Sequence, residues 1–196
     1  MANKTFPRGL IPVTRNGQSP DTVSYPKSTS SATAIWVGSP VQVSSGQVRS
    51  VVTDADGLTM TNANHGVTGA VVALLNSSGA VVDTLAAGDA GTVILTYLEN
   101  QVYRCCISTT AYAAADAGNK YYNFTAETST QITGSGRKLD GATEASQAAA
   151  SDGSTASGVM LAGTRVEPCA AGINDVATAD TEVYCTIASV FHTPAV

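Results

Sequence analysis

The fold is decided by residues 70–85, which read AVVALLNSSGAVVDTL. Two aliphatic, β-branched runs flank the segment from Asn76 to Gly79, and a short polar segment with glycine between two such runs is typical of a β-hairpin. Gly79 suits a turn position with positive φ, because glycine adopts that conformation without a steric penalty. The stretch therefore predicts two antiparallel strands joined by a tight turn.

Similar short runs, separated by turn residues, continue from Ala34 toward the C-terminus. A spacing of roughly ten residues between strands is typical of a β-sandwich or a β-barrel. We therefore predict an all-β fold with minor α content, built as a single antiparallel β-sandwich or barrel domain. The predicted strands are Ala34–Val37, Val41–Val43, Val48–Val52, Leu58–Thr61, Ala70–Leu75, Ala80–Leu85, Gly91–Leu95, Gln101–Ser108, Tyr121–Thr125, Gly158–Arg165 and Glu182–Phe191.

Alternation within two of these strands predicts their surroundings. In residues 101–108, the side chains of Tyr103, Cys105 and Ile107 share one face, which is the more apolar face of that strand. The last strand, residues 182–191, is apolar on both faces, as expected of a strand that is covered on both sides. It is therefore predicted to lie in the middle of a sheet.

Residues 1–30 carry four prolines among glycine, serine and threonine. Proline removes backbone donors and restricts φ, so this segment is predicted to be an extended N-terminal arm, followed by a β-rich domain over residues 31–196. The apolar residues of the arm are too few to form a core, and we expect them to dock on this domain or on a neighbouring subunit. The candidate contact residues are Phe6, Arg8, Leu10, Ile11 and Val13.

Two stretches have a helical composition, Ala111–Ala117 and Ala142–Ser151. The second lacks an apolar stripe and is interpreted equally well as a loop. It belongs to residues 126–157, which are rich in Ser, Thr, Gly and Ala and are predicted to form a long connection at the surface or at a subunit contact.

The composition limits the kinds of partner. Hydrophobic residues make up 43% of the 196 residues but charged residues only 13%, so Ser, Thr, Asn, Gln and Gly must cover much of the surface. Ten Lys and Arg residues and a net charge of −5 argue against nucleic-acid binding, which needs clustered basic side chains. No apolar run of 18 residues and no signal peptide are visible, which predicts no membrane partner.

Catalytic motifs are not found. His65 and His192 are the two histidines, and neither lies in a recognisable nucleophile motif, so we predict no catalytic residues and no enzyme activity. The segment from Asp54 to Gly57 begins like a calcium loop, but Thr59 and His65 replace the glycine and glutamate that such a loop requires. No metal site and no cofactor are predicted.

Four cysteines, Cys105, Cys106, Cys169 and Cys185, lack the paired spacing of zinc ligands. They are interpreted as free, mostly buried thiols, because neighbouring residues of a strand point to opposite faces. Trp36 lies between two β-branched residues of a predicted strand and is either a core residue or an interface anchor.

Several motifs follow one another in an order that resembles a known family. They are Arg8-Gly-Leu-Ile-Pro-Val13, Val37-Gly-Ser-Pro-Val41, Asp54-Ala-Asp-Gly57, Val93 to Arg104, Ser135 to Asp140, Val159 to Gly163, and the closing strand that ends at Phe191-His192. In this order and spacing the chain resembles the head decoration proteins of tailed bacteriophages, also called capsid-stabilising or cement proteins.

That resemblance implies a function that involves no catalysis. It implies a virion structural protein, assembled in the cytoplasm of the bacterial host, that binds the capsid exterior and stabilises the mature shell. Its partners would be the major capsid protein and itself, as a homotrimer, with the arm clamping adjacent capsid subunits. Two alternatives are a tail or fibre adhesin module of a phage virion, and a small hydrolase that uses His65 or His192.

Overall fold

The computed structural model describes residues 9–13, 19–31, 33–50, 68–97, 101–107, 120–124, 139–146, 159–161 and 181–187. These ranges contain fourteen β-strands and no helix, which confirms the predicted all-β fold with antiparallel sheets. The strands are β1 (Ile11–Pro12), β2 (Thr22–Pro26), β3 (Ile35–Trp36), β4 (Pro40–Ser44), β5 (Gln47–Ser50), β6 (Gly69–Asn76), β7 (Val81–Val82), β8 (Thr84–Leu85), β9 (Gly91–Tyr97), β10 (Tyr103–Cys106), β11 (Lys120–Phe124), β12 (Leu139–Ser146), β13 (Val159–Leu161) and β14 (Glu182–Ile187). Within the described ranges, no helix is present that could cross a membrane.

The first sheet has the strand order β1-β10-β14-β13-β11-β12. As predicted, β14 lies inside the sheet, between β10 and β13. Alternation along β10 and β14 buries Tyr103, Cys105, Val183 and Cys185, while the intervening residues are half-buried. The more apolar face of β10 is thus the buried one.

The second sheet has the order β2-β9-β6-β4-β5, with β7 paired to β6, and a small ladder of β3 and β8 accompanies it. One bridge between Lys27 and Val48 links the end of β2 to β5, so the two edges of this sheet approach each other. A core cluster lies here, because the inward faces of six strands meet. Its buried members among the described residues are Ile35, Val41, Val48, Val71, Leu74, Leu85, Val93 and Leu95.

The predicted hairpin is confirmed. Asn76 accepts hydrogen bonds at its Oδ1 from the backbone N–H groups of Ser78 (3.0 Å) and Ala80 (2.9 Å), and Gly79 has a φ of 82°. The turn therefore forms because the asparagine side chain satisfies the backbone donors of the turn and the glycine accepts a left-handed conformation.

The predicted arm contributes two edge strands to the domain. β1 pairs with β10 and β2 pairs with β9, each along one side. Proline is tolerated in such strands because an edge strand leaves part of its backbone unpaired, and both β1 and β2 end in a proline, Pro12 and Pro26.

The alternative of a helix over Ala142–Ser151 is wrong for its first half. Residues 142–146 belong to β12, which pairs with β11. Alanine has the highest helix propensity, but propensity is a small term and pairing with a distant strand overrides it. The predicted connection 126–157 therefore contains a strand. The candidate helix Ala111–Ala117 and the candidate strand Leu58–Thr61 lie outside the described residues.

A buried tyrosine joins the two sheets. The hydroxyl of Tyr103 on β10 lies 2.9 Å from Oγ1 of Thr96 on β9, and it donates to the carbonyl oxygen of Tyr97 at 3.2 Å. Burial raises the pKa of Tyr103 well above its usual value, so the phenol stays protonated and remains a donor. This contact joins β10 of the first sheet to the C-terminal end of β9 in the second sheet.

Gly69 marks the closest approach of two backbones. A methyl group at this position would overlap the carbonyl oxygen of Thr96 and come within 2.7 Å of Cδ1 of Leu95. We expect Gly69→Ala to lower the free energy of unfolding by about 3 kcal/mol, because the clash is with backbone and cannot be relieved by a side-chain rotation.

Urea denaturation of Gly69→Ala and Gly79→Ala tests this expectation. Gly79 has no neighbouring atom within 4 Å of an added Cβ but has a positive φ, so its variant should lose only about 1 kcal/mol. Equal losses in the two variants would contradict the close approach at Gly69.

Candidate interaction surface

Two turns lie side by side at one end of the second sheet. Asn76 at the end of β6 pairs with Gly91 at the start of β9, so the turn after β6 and the turn before β9 are neighbours. We call the residues Ser77–Val81 and Ala86–Ala90 the rim. Every residue of the rim is exposed, and Val81 reaches 77% exposure, more than any other large hydrophobic side chain in the described part of the chain.

Hydrogen bonds also hold the second turn of the rim. Oδ2 of Asp89 accepts from the backbone N–H of Ala86 at 2.9 Å, and the N–H of Asp89 donates to the carbonyl oxygen of Ala86 at 3.1 Å. Gly88 adopts a φ of 78° between them. The rim therefore has a defined shape before any partner binds.

The buried side chain of Lys27 is hydrogen-bonded to the backbone of the rim. Lys27 is only 3% exposed, and its Nζ donates to the carbonyl oxygens of Asp89 at 3.2 Å and Ser28 at 3.4 Å. Its backbone N–H donates to the carbonyl oxygen of Gly91 at 2.9 Å. Burial lowers the pKa of Lys27 from its ordinary value of 10.5, and the nearby charge of Asp89 opposes that shift. Lys27 thus links the end of β2 to the rim.

The lowered pKa of Lys27 predicts a pH-dependent stability. In the unfolded chain the amine keeps its proton up to about pH 10.5, whereas in the folded protein it loses the proton at a lower pH. Between these two values the unfolded state binds more protons, so the free energy of unfolding should rise with pH and level off above 10.5.

Comparison with Lys27→Met isolates this effect. The free energy of unfolding of the native protein minus that of the variant, measured by denaturant titration from pH 7 to 11, should increase toward alkaline pH. Other alkaline titrations, such as that of Tyr103, are common to both proteins and cancel. A difference that stays constant or falls with pH would contradict the burial of this amine.

Trp36 lies in the short β3–β8 ladder. Ile35 faces the core opposite Leu85, and Trp36 is paired with Thr84, so alternation places Trp36 and Thr84 on the other face. The indole is half-buried and is not among the side chains of the core or packed against it. Thr84 is exposed and precedes the second turn of the rim by two residues, so Trp36 lies near the rim.

The rim has little charge to desolvate. Asp89 is its one charged residue, and its carboxylate already accepts a hydrogen bond from the rim itself. The remaining side chains are serine, alanine and valine. A neutral, exposed and ordered surface of this kind suits a protein partner, because binding would desolvate few charges and would order few side chains.

A second exposed feature was missed by sequence reasoning. The hydroxyl groups of Tyr25 on β2 and Tyr97 on β9 are hydrogen-bonded to each other, and Tyr97 is 42% exposed. This hydrogen bond raises the pKa of Tyr97. The two residues are far apart in sequence, and only the register of β2 with β9 brings them together.

The candidate contact residues of the arm fall into two groups. Leu10 is 1% exposed, and its backbone N–H donates to the carbonyl oxygen of Gly38 at 2.8 Å. Ile11 and Val13 are half-buried against the same domain. Phe6 and Arg8 lie outside the described residues, as do His65, His192, Cys169 and the segment 54–57.

Three described cysteines are free thiols, and Cys105 and Cys185 are buried. Burial raises the pKa of Cys185 to about 12, so this thiol is protonated at neutral pH and is a poor nucleophile. No group of three or more His, Cys, Asp or Glu side chains within the described residues is placed to hold a metal ion.

Comparisons of the chain with protein-family models, with curated proteins and with solved structures each find no match.

Proposed function

We propose that this protein is a structural component of a bacteriophage virion that binds the outer surface of the capsid and stabilises the mature shell. The observation that carries the proposal is the rim, a neutral and hydrogen-bonded surface with the exposed Val81 in it and the half-buried Trp36 near it. The motif resemblance to head decoration proteins points to the same class of partner, the major capsid protein.

The physical basis is surface complementarity. Aromatic and aliphatic anchors at the centre of an interface supply most of its energy, and uncharged neighbours exclude water around them. A standard interface uses about 20–30 residues on each side, so the ten residues of the rim need a second contact. Self-association as a trimer would supply it, because three linked rims bind a shell with much greater avidity than one.

Stabilisation of the shell would follow from mass action. A protein that binds the mature shell and not its precursor stabilises the mature form at each site by RT ln(1 + [L]/Kd), where [L] is its free concentration. At a concentration of 100 times Kd this amounts to about 2.7 kcal/mol for each site. Many sites on one shell add to a large resistance against internal pressure without any chemical step.

Binding to phage heads tests the proposal. Expanded heads assembled without this protein are mixed with increasing amounts of the purified chain, and bound protein is measured after sedimentation. Saturable binding to expanded heads and much weaker binding to unexpanded proheads is the expected result. Equal binding to both, or no binding to either, would contradict the proposal.

We also propose that the protein is not an enzyme. The pair of histidines gives the sharpest test of that statement, because His65 and His192 are the only side chains whose ordinary pKa suits a neutral-pH general base. The double variant His65→Ala/His192→Ala should saturate expanded heads with unchanged affinity. Loss of function with unchanged circular dichroism and thermal stability would favour the hydrolase alternative.

One observation favours a second candidate, a tail or fibre adhesin module. The hydroxyl groups of Tyr25 and Tyr97 meet near the surface, and a tyrosine offers a binding partner both an apolar ring and a polar tip. If this candidate is correct, Tyr97→Ala should abolish binding to host-cell polysaccharide and leave head binding unchanged. Under the capsid proposal, the same substitution has no effect on adsorption of the phage to cells.

A further inference from the structure

The arm docks in a seat that is built by two sheets. Beside the second sheet, Gly38 in the β3–β4 connection donates its N–H to the carbonyl oxygen of Val71 at 2.8 Å and accepts the N–H of Leu10 at its own carbonyl oxygen at 2.8 Å. Just before β10 of the first sheet, the carbonyl oxygen of Val102 accepts the backbone N–H of Val13 at 2.9 Å. We call Val37 and Gly38 of the β3–β4 connection, Val71 and Val72 of β6, and residues 102–104 at the start of β10 the seat.

A bulge in β6 shapes the seat. The register of β6 against β9 shifts between Val71 and Ala73, so Val72 is an extra residue without its own partner in that ladder. Bulges bend a strand and redirect a side chain. Val72 lines the seat together with Leu10, Ile11 and Pro12 of the arm, and a cavity of about 300 Å³ that is partly open to solvent remains beside them.

The arm is held by few interactions. β1 is two residues long, in which Ile11 pairs with Arg104 and Pro12 with Tyr103, and Pro12 has no N–H to donate. The cavity leaves part of the apolar surface of the arm without packing partners, which weakens its docking. Residues 9–13 carry no charge, and the side chain of Gln101 donates from Nε2 to the carbonyl oxygen of Val13 at 3.0 Å, so docking depends on apolar packing and a small number of hydrogen bonds.

From these features we propose that neighbouring copies of this chain exchange their arms, so that residues 9–13 of one copy occupy the seat of the next. The contacts in the seat are the same whichever copy donates the arm, which makes exchange a low-cost route to association. Val13 and Thr22 are nine Cα–Cα steps apart, so an arm reaches a seat no more than about 30 Å from the start of β2.

The local concentration of seats determines whether an arm docks on its own chain or on a neighbouring copy. The covalent connection presents the chain's own arm to its own seat at an effective concentration in the millimolar range. One neighbouring seat within the reach of about 30 Å corresponds to about 15 mM, which is comparable. Exchange should therefore be rare in micromolar solution and should compete with self-docking when copies are crowded on a surface. The prediction of exchange on a particle rests on the proposed capsid binding, whereas the prediction of exchange in concentrated solution does not.

A disulfide between two different chains detects exchange directly. One variant carries Ile11→Cys and a cleavable size tag, and the other carries Arg104→Cys. Both have Cys106→Ser and Cys169→Ser, while the buried Cys105 and Cys185 are kept. The register places residue 11 of a donated arm opposite residue 104 of the accepting chain. A second pair, Val13→Cys with Val102→Cys, repeats the test at the next bonded position and covers the case in which the first pair folds poorly.

The mixed proteins are incubated at about 10 μM and at about 3 mM, and also on expanded heads, and are then oxidised and separated without reductant. We expect a heterodimer of defined size on heads and at about 3 mM, at least tenfold more than at about 10 μM. Replacing the Arg104→Cys partner by Gln47→Cys, an exposed position at the start of β5 that pairs with Ser44 and is remote from the seat, should abolish the heterodimer. The absence of a heterodimer at about 3 mM would contradict arm exchange. A heterodimer in concentrated solution together with no binding to heads would support arm exchange and contradict the capsid proposal.

Discussion

Leu10→Ala is expected to lower the free energy of unfolding by about 3 kcal/mol. This loss is that of a core residue, although the sequence pattern predicts an extended arm at Leu10. The side chain is 1% exposed and lines a partly open cavity of about 300 Å³, so its removal loses buried apolar contacts that no neighbouring group replaces. Truncation of a buried leucine costs the transfer free energy of the removed atoms and a further term for the space left behind. Urea denaturation followed by circular dichroism measures the loss.

Ile11→Ala is the matched control for this variant. Ile11 is the next residue, has a similar size and is half-buried, so its truncation should cost roughly half as much. Deletion of residues 1–8 should leave this contribution in place, whereas deletion of residues 1–13 should remove it together with β1. A Leu10→Ala variant that unfolds at the same urea concentration as the native protein would show that the arm does not belong to the folded domain.

The double variant Val81→Asp/Ala87→Asp is expected to weaken binding to expanded heads by about 100-fold, which corresponds to about 2.7 kcal/mol. Both positions lie on the rim and are exposed, so the folded chain tolerates the charges. In a complex with the shell the same carboxylates would be desolvated without a partner. Sedimentation of heads with bound protein gives the dissociation constants.

A control of equal charge separates a local effect from a general one. Thr22→Asp/Ser24→Asp adds the same two charges at exposed positions of β2, outside the rim. We expect this variant to bind heads within about threefold of the native protein, because isolated exposed charges at moderate salt act over a short range. Equal weakening by both double variants would indicate that net charge, and not the rim, controls binding.

Local signals made part of the fold predictable. The turn from Asn76 to Gly79 is determined by residues that lie next to one another, and the central position of β14 follows from the apolar character of both its faces. In each case the information needed for the prediction lies within one strand or turn. β12 was missed because its alanine-rich sequence carries a weak local preference, whereas its strand conformation comes from pairing with β11.

The candidate surface was less predictable because it depends on register. The rim exists because Asn76 pairs with Gly91, which brings together two turns that are unremarkable by themselves. Nothing in the sequence predicts the burial of Lys27, because lysine is seldom buried. Its hydrogen bond to Asp89 depends on the end of β2 meeting the start of β9. Docking of the arm was expected from its apolar residues, but the choice of seat required Gly38 and the bulge at Val72.

Quantitative mass spectrometry of purified mature virions tests most directly whether this protein acts by covering a shell. The predicted result is a fixed and high copy number relative to the major capsid protein, retained in tail-free heads and absent from unexpanded proheads. Absence from mature virions, or presence only in the tail fraction, would contradict binding to the capsid exterior.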